Sequence, residues 1–318
     1  DSNTVTTAKG FSMTIAVMGA GRGPLVDACL RAHASYRRWL TRRVQEGSKK
    51  YLFPVFPFQA RIFAVEKNEN AVRVLRKRLG VADGNYEEYS YQHHRNGSMK
   101  ADLWNPSVVT VVASDMRHWR PSQEEKADLV VSELLGSFGD NELSPECLVC
   151  AQHCTKQYAE FIPYSYTSYL APVANSKAWM QARDVLSGNG LHTPLVVNQH
   201  AYFQLAEARP VFTFEHRQTW WYDKELRIED NARYTRLQFL SQLKASATVH
   251  GFVGYFDAVL CPPFDEGEAI TISTNPLTIT PQMTSWFPIF FPIEVPMTLK
   301  HRGAPHGIFL ALCERQAE

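Results

Sequence analysis

Apolar positions recur along the chain with two different periods, and the change falls near residue 162. Before it, short apolar runs alternate with helical patterns. Phe11 to Met18 reads as a buried strand, and Leu25, Cys29, Ala32, Tyr36 and Leu40 then recur on one helix face. Ala60 to Val65 reads as the second strand and Asn70 to Leu79 as a helix. Val108 to Ala113 and Ala127 to Val131 are two further strands, and Glu146 to Lys156 a helix. Such alternation predicts an α/β domain around a mostly parallel sheet. After Phe161-Ile162-Pro163 the period shortens to two. Tyr166 to Pro172, Ala201 to Leu205, Val211 to Phe214, Thr235 to Phe239, Thr248 to Asp257 and Ala269 to Ser273 are short aromatic-rich runs separated by Pro, Gly and Asn. They predict an antiparallel β domain, with a helix at Ser176 to Leu186 inserted in it. The expected division is 1–162 and 163–318.

Composition changes this picture little. The chain has 318 residues, 45% hydrophobic and 20% charged, an ordinary globular mix of a size for about two domains. The net charge of +1 gives no global attraction to nucleic acid or to a membrane. The first 80 residues carry 15 Lys/Arg against 5 Asp/Glu, an excess better explained by solvated helix faces than by a dedicated basic surface. No run is long enough to span a bilayer; Trp286 to Pro296 is apolar but is broken by Pro288, Pro292 and Pro296. With Asp1 first and no signal peptide visible, the sequence reads as part of a longer protein. Six cysteines in a chain of this length point to a reducing compartment rather than a disulfide framework. Cys147, Cys150, His153 and Cys154 invite a zinc site. No second Cys-x-x-Cys pair completes one, and their spacing suits a buried helix face, so no metal is expected. His93-His94 reads as loop, and Trp220-Trp221-Tyr222 as core or dimer packing.

The residues with chemical potential cluster at strand ends, where open α/β sheets bind ligands. Gly19-Ala20-Gly21-Arg22-Gly23-Pro24 follows the first strand, with Pro24 suited to a first helical position. A dinucleotide fingerprint would need glycine where Pro24 stands. The Gly-x-Gly-x-Gly spacing of Gly19, Gly21 and Gly23 suits instead a nucleoside with a short tail, such as S-adenosylmethionine. Glu66 ends the second strand, the usual place for an acid that accepts from a ribose diol. It lies 45 residues after Gly21 rather than about 20, and the excess falls in an inserted run from Arg42 to Gln59. A second insertion covers 83–106. Asp115 and Met116 end the third strand and are placed to meet an adenine, the carboxylate at the exocyclic amine and the thioether against the ring. After the fourth strand comes the acidic stretch Ser132 to Glu146. Glu133 and Glu142 are nine positions apart, with Gly136, Gly139, Asp140 and Asn141 between them to fold the chain back. Two converging acids require a cation, either a metal or a positively charged substrate group. A guanidinium, always protonated and fork-shaped, is matched by carboxylates in bidentate fashion.

Together with Ala64 to Asn68, Ser114 to Arg117, Ser132 to Leu148 and Ser285-Trp286-Phe287-Pro288, the glycine turn resembles the catalytic region of the protein arginine methyltransferase 5 family, the type II (symmetric) enzymes. Tyr166 to Pro172 and His250 to Phe256 resemble its β-barrel. The resemblance implies a Rossmann-like S-adenosylmethionine-dependent methyltransferase domain followed by an antiparallel β-barrel domain with an inserted dimerisation arm. It implies that Glu133 and Glu142 hold a substrate guanidinium, Glu66 the ribose, and Asp115 with Met116 the adenine. Trp286 would wall the arginine pocket, and Ser285 matches the serine that replaces histidine in asymmetric enzymes. The reaction implied turns S-adenosylmethionine into S-adenosylhomocysteine and gives monomethyl and symmetric dimethylarginine. The alternatives are a monomethylating (type III) relative and a non-catalytic methyltransferase-like scaffold. The implied partners are arginine/glycine-rich proteins (histones, RNA-binding and splicing proteins), a second copy of the chain and a WD-repeat adaptor, in the cytoplasm and nucleus. The sequence departs from the pattern at Thr284, where the type II enzymes carry Phe, and in the two insertions. The family's helix upstream of the first strand, its N-terminal barrel domain and the last stretch of its catalytic barrel have no counterpart in these 318 residues.

Overall fold

The computed structural model describes residues 12–45, 59–80, 104–185, 190–196, 202–216, 228–241, 245–263, 267–300 and 307–316. Most of both insertions, at 46–58 and 81–103, lies outside the described residues. So do His93-His94 and Trp220-Trp221-Tyr222. The chain forms two compact units. One comprises Asp1–Glu133 and Cys150–Phe161, the other Leu134–Val149 and Ile162–Glu318. The stretch 134–149 thus packs with the second unit, because Leu135 and Phe138 belong to that unit's apolar core.

The first unit is Rossmann-like. Strands β1 (Ser12–Met18), β2 (Gln59–Glu66), β3 (Val109–Ala113), β4 (Ala127–Ser132) and β5 (Thr155–Ile162) lie in the order β3-β2-β1-β4-β5. The β1–β2, β1–β4 and β2–β3 ladders are parallel. From Ile15 to Met18 and from Ile62 to Val65 every residue is buried. Strands covered on both faces read as continuous apolar runs for this reason. Helices α1 (Pro24–Gln45) and α2 (Glu69–Arg78) supply the crossovers. The helix expected over Glu146 to Lys156 is shorter: α3 covers Ser144–Val149, a 3₁₀ turn covers Cys150–His153, and Thr155 opens β5. Among the described residues no helix is long and apolar enough to cross a membrane.

The second unit is antiparallel. A seven-stranded sheet runs β7 (Leu195–Val196), β13 (Ile289–Leu299), β11 (Ala247–Cys261), β6 (Ser165–Ala174) and β8 (Phe203–Gln204). In it β12 (Ile270–Ser273) pairs with β11, and β9 (Arg209–Glu215) with β6. A second pair joins β10 (Arg233–Ser241) to β14 (Gly307–Arg315). The two sheets share one core: Tyr166 and Leu170 from β6, Phe212 and Phe214 from β9, Leu237 and Phe239 from β10, and Phe256 from β11. Helix α4 (Ser176–Val185) is inserted after β6. Strand β13 runs through Pro292 and Pro296. It pairs with β11 from Ile289 to Pro292 and again from Met297 to Leu299, with a register break between that takes up Pro296; among the described residues its ladder to β7 covers Ile289 and Phe290 only. Register breaks and bulges are where a strand tolerates residues that cannot donate.

Candidate functional site

In the first unit the site is built by main chain. Gly19, Gly21 and Gly23 have φ of 68°, 54° and 96°, the region that an L side chain avoids. The first two residues of the turn are tied to β2: the amides of Gly19 and Ala20 both donate to the Val65 carbonyl at 3.0 Å. The requirement at Gly23 is twofold, since a Cβ there would lie 2.9 Å from Nη1 of Arg78 and 3.0 Å from the Trp104 ring.

Glu66, 9% exposed, closes the turn from the other side. One carboxylate oxygen accepts from the Gly21 amide at 2.8 Å and the other from the Asn68 amide at 2.7 Å. Asn68 is at the same time the N-cap of α2, its Oδ1 accepting from the amides of Asn70 and Ala71. A carboxylate oxygen has two lone pairs, so each Glu66 oxygen keeps capacity for a further donor. Asp115 is differently placed. Its carboxylate is gripped by Arg117, with Nε at 3.0 Å and Nη2 at 2.7 Å, and Lys67 lies 3.8 Å away. The hydrogen bonds from Arg117 hold its pKa well below the usual carboxylate range. Met116 beside it is half-buried.

A group that sequence reading missed holds the turn in place. Arg78, the last residue of α2, donates to both oxygens of Asp27 in α1, at 2.6 and 2.8 Å, and to the Arg22 carbonyl at 3.0 Å. Trp104 donates its indole N–H to Asp27 at 2.7 Å, and the Arg78 guanidinium lies 4.2 Å from the centre of its ring. Trp104 falls within the stretch read as an insertion. Only the acid in the first turn of α1 and the basic end of α2 hinted at the contact.

In the second unit the acidic stretch is a tight hairpin. Gly136 and Gly139 exchange both main-chain hydrogen bonds, at 3.0 and 2.8 Å. Gly139 has φ of 85°, and a Cβ there would meet the Tyr166 ring at 2.7 Å. The Phe138 amide donates to Oδ1 of Asn141 at 2.7 Å, and Ser168 donates its hydroxyl to the Phe138 carbonyl at 2.6 Å. Trp286, half-buried, donates its indole N–H to the Leu135 carbonyl at 2.7 Å and meets Phe256 edge-on at 5.4 Å. Ser285 beside it is exposed.

The acids after the hairpin tip divide by burial. Glu142 is exposed, as is Glu133, which directly follows β4. Asp140 and Glu146 are 6% and 3% exposed. Both are taken by Arg315 at the end of β14. Its Nη1 and Nη2 reach the two oxygens of Glu146 at 2.7 Å each, and its Nε donates to Asp140. Burial works against the Arg315 charge, but the Glu146 hydrogen bonds and the Asp140 charge outweigh it, and the guanidinium is held above its usual range. Burial pushes the Asp140 carboxyl up against the pull of Arg315. Removing one partner of such a buried pair costs about 3–5 kcal/mol. Among the described residues no three His, Cys, Asp or Glu side chains are grouped to hold a metal ion. Cysteines 147, 150 and 154 are thiols outside any disulfide, with burial raising Cys154 to about 11.

Comparison with known proteins finds matches in both halves of the chain. Residues 1–87 and 81–162 match the family model described as PRMT5 arginine-N-methyltransferase, and residues 165–310 match the PRMT5 oligomerisation domain. Protein arginine N-methyltransferase 5 of Xenopus laevis is 39% identical over 289 residues, 89% of this chain and 36% of that protein. Protein arginine N-methyltransferase skb1 of Schizosaccharomyces pombe is 35% identical over 294 residues, 89% of this chain and 38% of that protein. The chain thus spans little more than a third of the length of these curated relatives. Among solved structures, the Trypanosoma brucei PRMT1 enzyme-prozyme heterotetrameric complex with AdoHcy is similar at a TM-score of 0.60 and 13% identity, over 94% of this chain and 78% of that chain. At that identity the likeness is one of fold.

Proposed function

From the premise that this chain belongs to the PRMT5 arginine-N-methyltransferase family, we propose that the protein carrying it transfers methyl groups from S-adenosylmethionine to arginine side chains of proteins. The products would be monomethylarginine and symmetric dimethylarginine. The observation that carries the reading is the exposed Glu142 on a hairpin whose neighbouring acids, Asp140 and Glu146, are both occupied by Arg315. A carboxylate in that position is available to an external cation.

The first unit fits the cofactor. The glycine turn brings bare main chain next to Glu66, and Glu66 is already oriented by two amides with lone pairs to spare for ribose hydroxyls. Asp115 and Met116 are assigned to the adenine, with Asp115 acting while still bound to Arg117. When bound, S-adenosylmethionine supplies an electrophilic methyl group. Every other part of the chemistry belongs to side chains of this protein. Glu133 and Glu142 accept hydrogen bonds from the guanidinium, draw its charge away from one terminal nitrogen, and leave that nitrogen the nucleophile. The nitrogen that gains a methyl group must shed a proton, and Glu142 is assigned to take it. Trp286 stacks on the planar cation, with its own N–H anchored on the hairpin. Fixing the attacking nitrogen in line contributes several kcal/mol of barrier reduction.

The test is mass spectrometry of an arginine/glycine-rich peptide incubated with the full-length protein and S-adenosylmethionine. Mass gains of one and two methyl groups on arginine, the second on the other terminal nitrogen, are expected. A monomethyl product alone would assign the chain to the type III alternative, and unmodified arginine would refute the reading. Self-association through residues 165–310 belongs to the same proposal, supported by the oligomerisation-domain match.

A further inference from the structure

In the second unit Arg315 turns Nε, Nη1 and Nη2 of its fork toward two acids, one in the acidic hairpin and one at the start of α3. Arg315 lies 175 residues from Asp140 and 169 from Glu146, yet its side chain, 9% exposed, binds both. Its other contacts are with the surrounding frame. Nη1 reaches the Asn231 carbonyl at 3.3 Å, and the guanidinium lies 5.2 Å from the centre of the Phe214 ring. Between the two bound acids the chain makes a turn in which the Leu143 amide donates to the Asp140 carbonyl at 3.0 Å. Glu142 is the third residue of that turn. Leu143, the fourth, has φ of 61°, a conformation a leucine adopts only when its surroundings impose it. The Leu143 carbonyl in turn accepts from the Cys147 amide of α3 at 3.0 Å. The turn that carries Glu142 is therefore bracketed by two carboxylates held on one rigid guanidinium.

We infer that Arg315 is a positioning residue for the acidic hairpin: by binding Asp140 and Glu146 together it fixes the turn between them and so sets where Glu142 presents its carboxylate. This rests on the reading of Glu142 as a guanidinium-binding group. The role needs arginine specifically. A lysine is a point charge and cannot serve a bidentate carboxylate and a second acid in one plane. Losing the fork would release the turn without emptying the core, since Leu135 and Phe138 anchor the other limb of the hairpin independently.

The experiment compares the full-length protein with its Arg315→Lys and Asp140→Asn variants, using an arginine/glycine-rich peptide and S-adenosylmethionine. Asp140→Asn keeps the Arg315–Glu146 pair and serves as the folded comparison if Arg315→Lys fails to accumulate. Three quantities are read: KM for the peptide, kcat, and S-adenosylhomocysteine affinity by calorimetry. The expected result is a rise in peptide KM of about tenfold or more in Arg315→Lys, a smaller rise in Asp140→Asn, and cofactor affinity within about twofold of the parent. Hydrogen exchange should quicken at amides 140–147 and not in β6 or β11. A lower kcat at unchanged peptide KM is what partial unfolding gives, and it would overturn the inference, as would parental kinetics in both variants. If the parent protein itself leaves the peptide unmodified, the guanidinium reading fails. Parental activity with indifferent variants refutes only the positioning role.

Discussion

Glu66 and Glu142 are both held for presentation, but by opposite means. Glu66 is fixed by main chain: the Gly21 and Asn68 amides each take one oxygen, and both belong to elements that begin where adjacent parallel strands end. Glu142 is exposed, and what is fixed is the backbone that carries it. The fixing groups are side chains from distant parts of the sequence: Ser168 on the Phe138 carbonyl, Trp286 on the Leu135 carbonyl, and Arg315 on Asp140 and Glu146. A carboxylate oriented by amides is hard to disturb by changing side chains, because the donors remain whatever side chain the donor residue carries. One oriented through borrowed side chains can be tuned from far away. Under the proposed assignment, the first arrangement suits a cofactor that is the same in every turnover, the second a substrate that differs from protein to protein.

The largest effect should come from the acids themselves. Glu133→Gln is expected to abolish turnover while leaving cofactor binding nearly intact. Losing one charged partner of a guanidinium costs about 2–5 kcal/mol, so kcat/KM for an arginine peptide should fall by about 30-fold or more, with calorimetric affinity for S-adenosylhomocysteine unchanged. Full activity in this variant would remove Glu133 from the site. Glu66→Gln should show the reverse pattern and a smaller effect. The amide substitute replaces one acceptor oxygen with a donor, so it must turn away from either the Gly21 or the Asn68 N–H. A hydrogen bond to a charged group is worth about 1.5–3 kcal/mol, which predicts cofactor binding weaker by about 10- to 100-fold. If the two variants gave the same pattern, the division of labour between Glu66 and the acidic hairpin would be lost.

The same contrast explains what sequence reading could and could not reach. The turn after β1, the acid at the end of β2 and the strand ends carrying Asp115 and Glu133 were legible, because buried parallel strands leave continuous apolar runs and the residues of interest follow within a few positions. The fold-back at Gly136 and Gly139 was legible for the same reason: the turn residues are local. The partner of Asp140 and Glu146 was not. Nothing near Arg315 marks it, since alternation in β14 says only which face it occupies. Strand β13 was hidden by Pro292 and Pro296, which argue against a strand unless a register break beside them is known. The helix predicted to Lys156 stops at Val149 because apolar positions with helical spacing continue through a 3₁₀ turn into β5, and periodicity alone does not mark that change.

The hairpin's dependence on borrowed side chains can be tested more gently at Trp286. In Trp286→Phe the aromatic face remains but the indole N–H on the Leu135 carbonyl is lost. One neutral hydrogen bond contributes about 1 kcal/mol net, so a thermal midpoint lowered by a few degrees and a peptide KM raised by about fivefold are expected, with cofactor affinity unmoved. A parental KM would show that the hairpin is held without Trp286.

The smallest effect sharpens the other half of the comparison. Gly21 and Gly23 sit in one turn, both with positive φ, yet they differ in surroundings. A Cβ at Gly21 meets nothing within 4 Å, whereas one at Gly23 runs into Arg78 and Trp104. Gly21→Ala therefore faces only the backbone preference, about 1 kcal/mol or slightly more. Gly23→Ala faces that cost and must also displace the Arg78 guanidinium that grips Asp27. The Asp27 pKa is held low by Arg78 and Trp104 against the opposing effect of burial, so moving Arg78 weakens a pair whose contribution is present above the usual carboxylate pKa and fades as the pH falls towards the depressed one. Denaturant unfolding at neutral pH should rank the variants parent, Gly21→Ala, Gly23→Ala, with the last two separated by about 1 kcal/mol. The gap should narrow in acid, where Asp27 is protonated. Equal stabilities at neutral pH would mean that the Arg78–Asp27–Trp104 group does not brace the turn, and that the main chain holds Glu66 unaided.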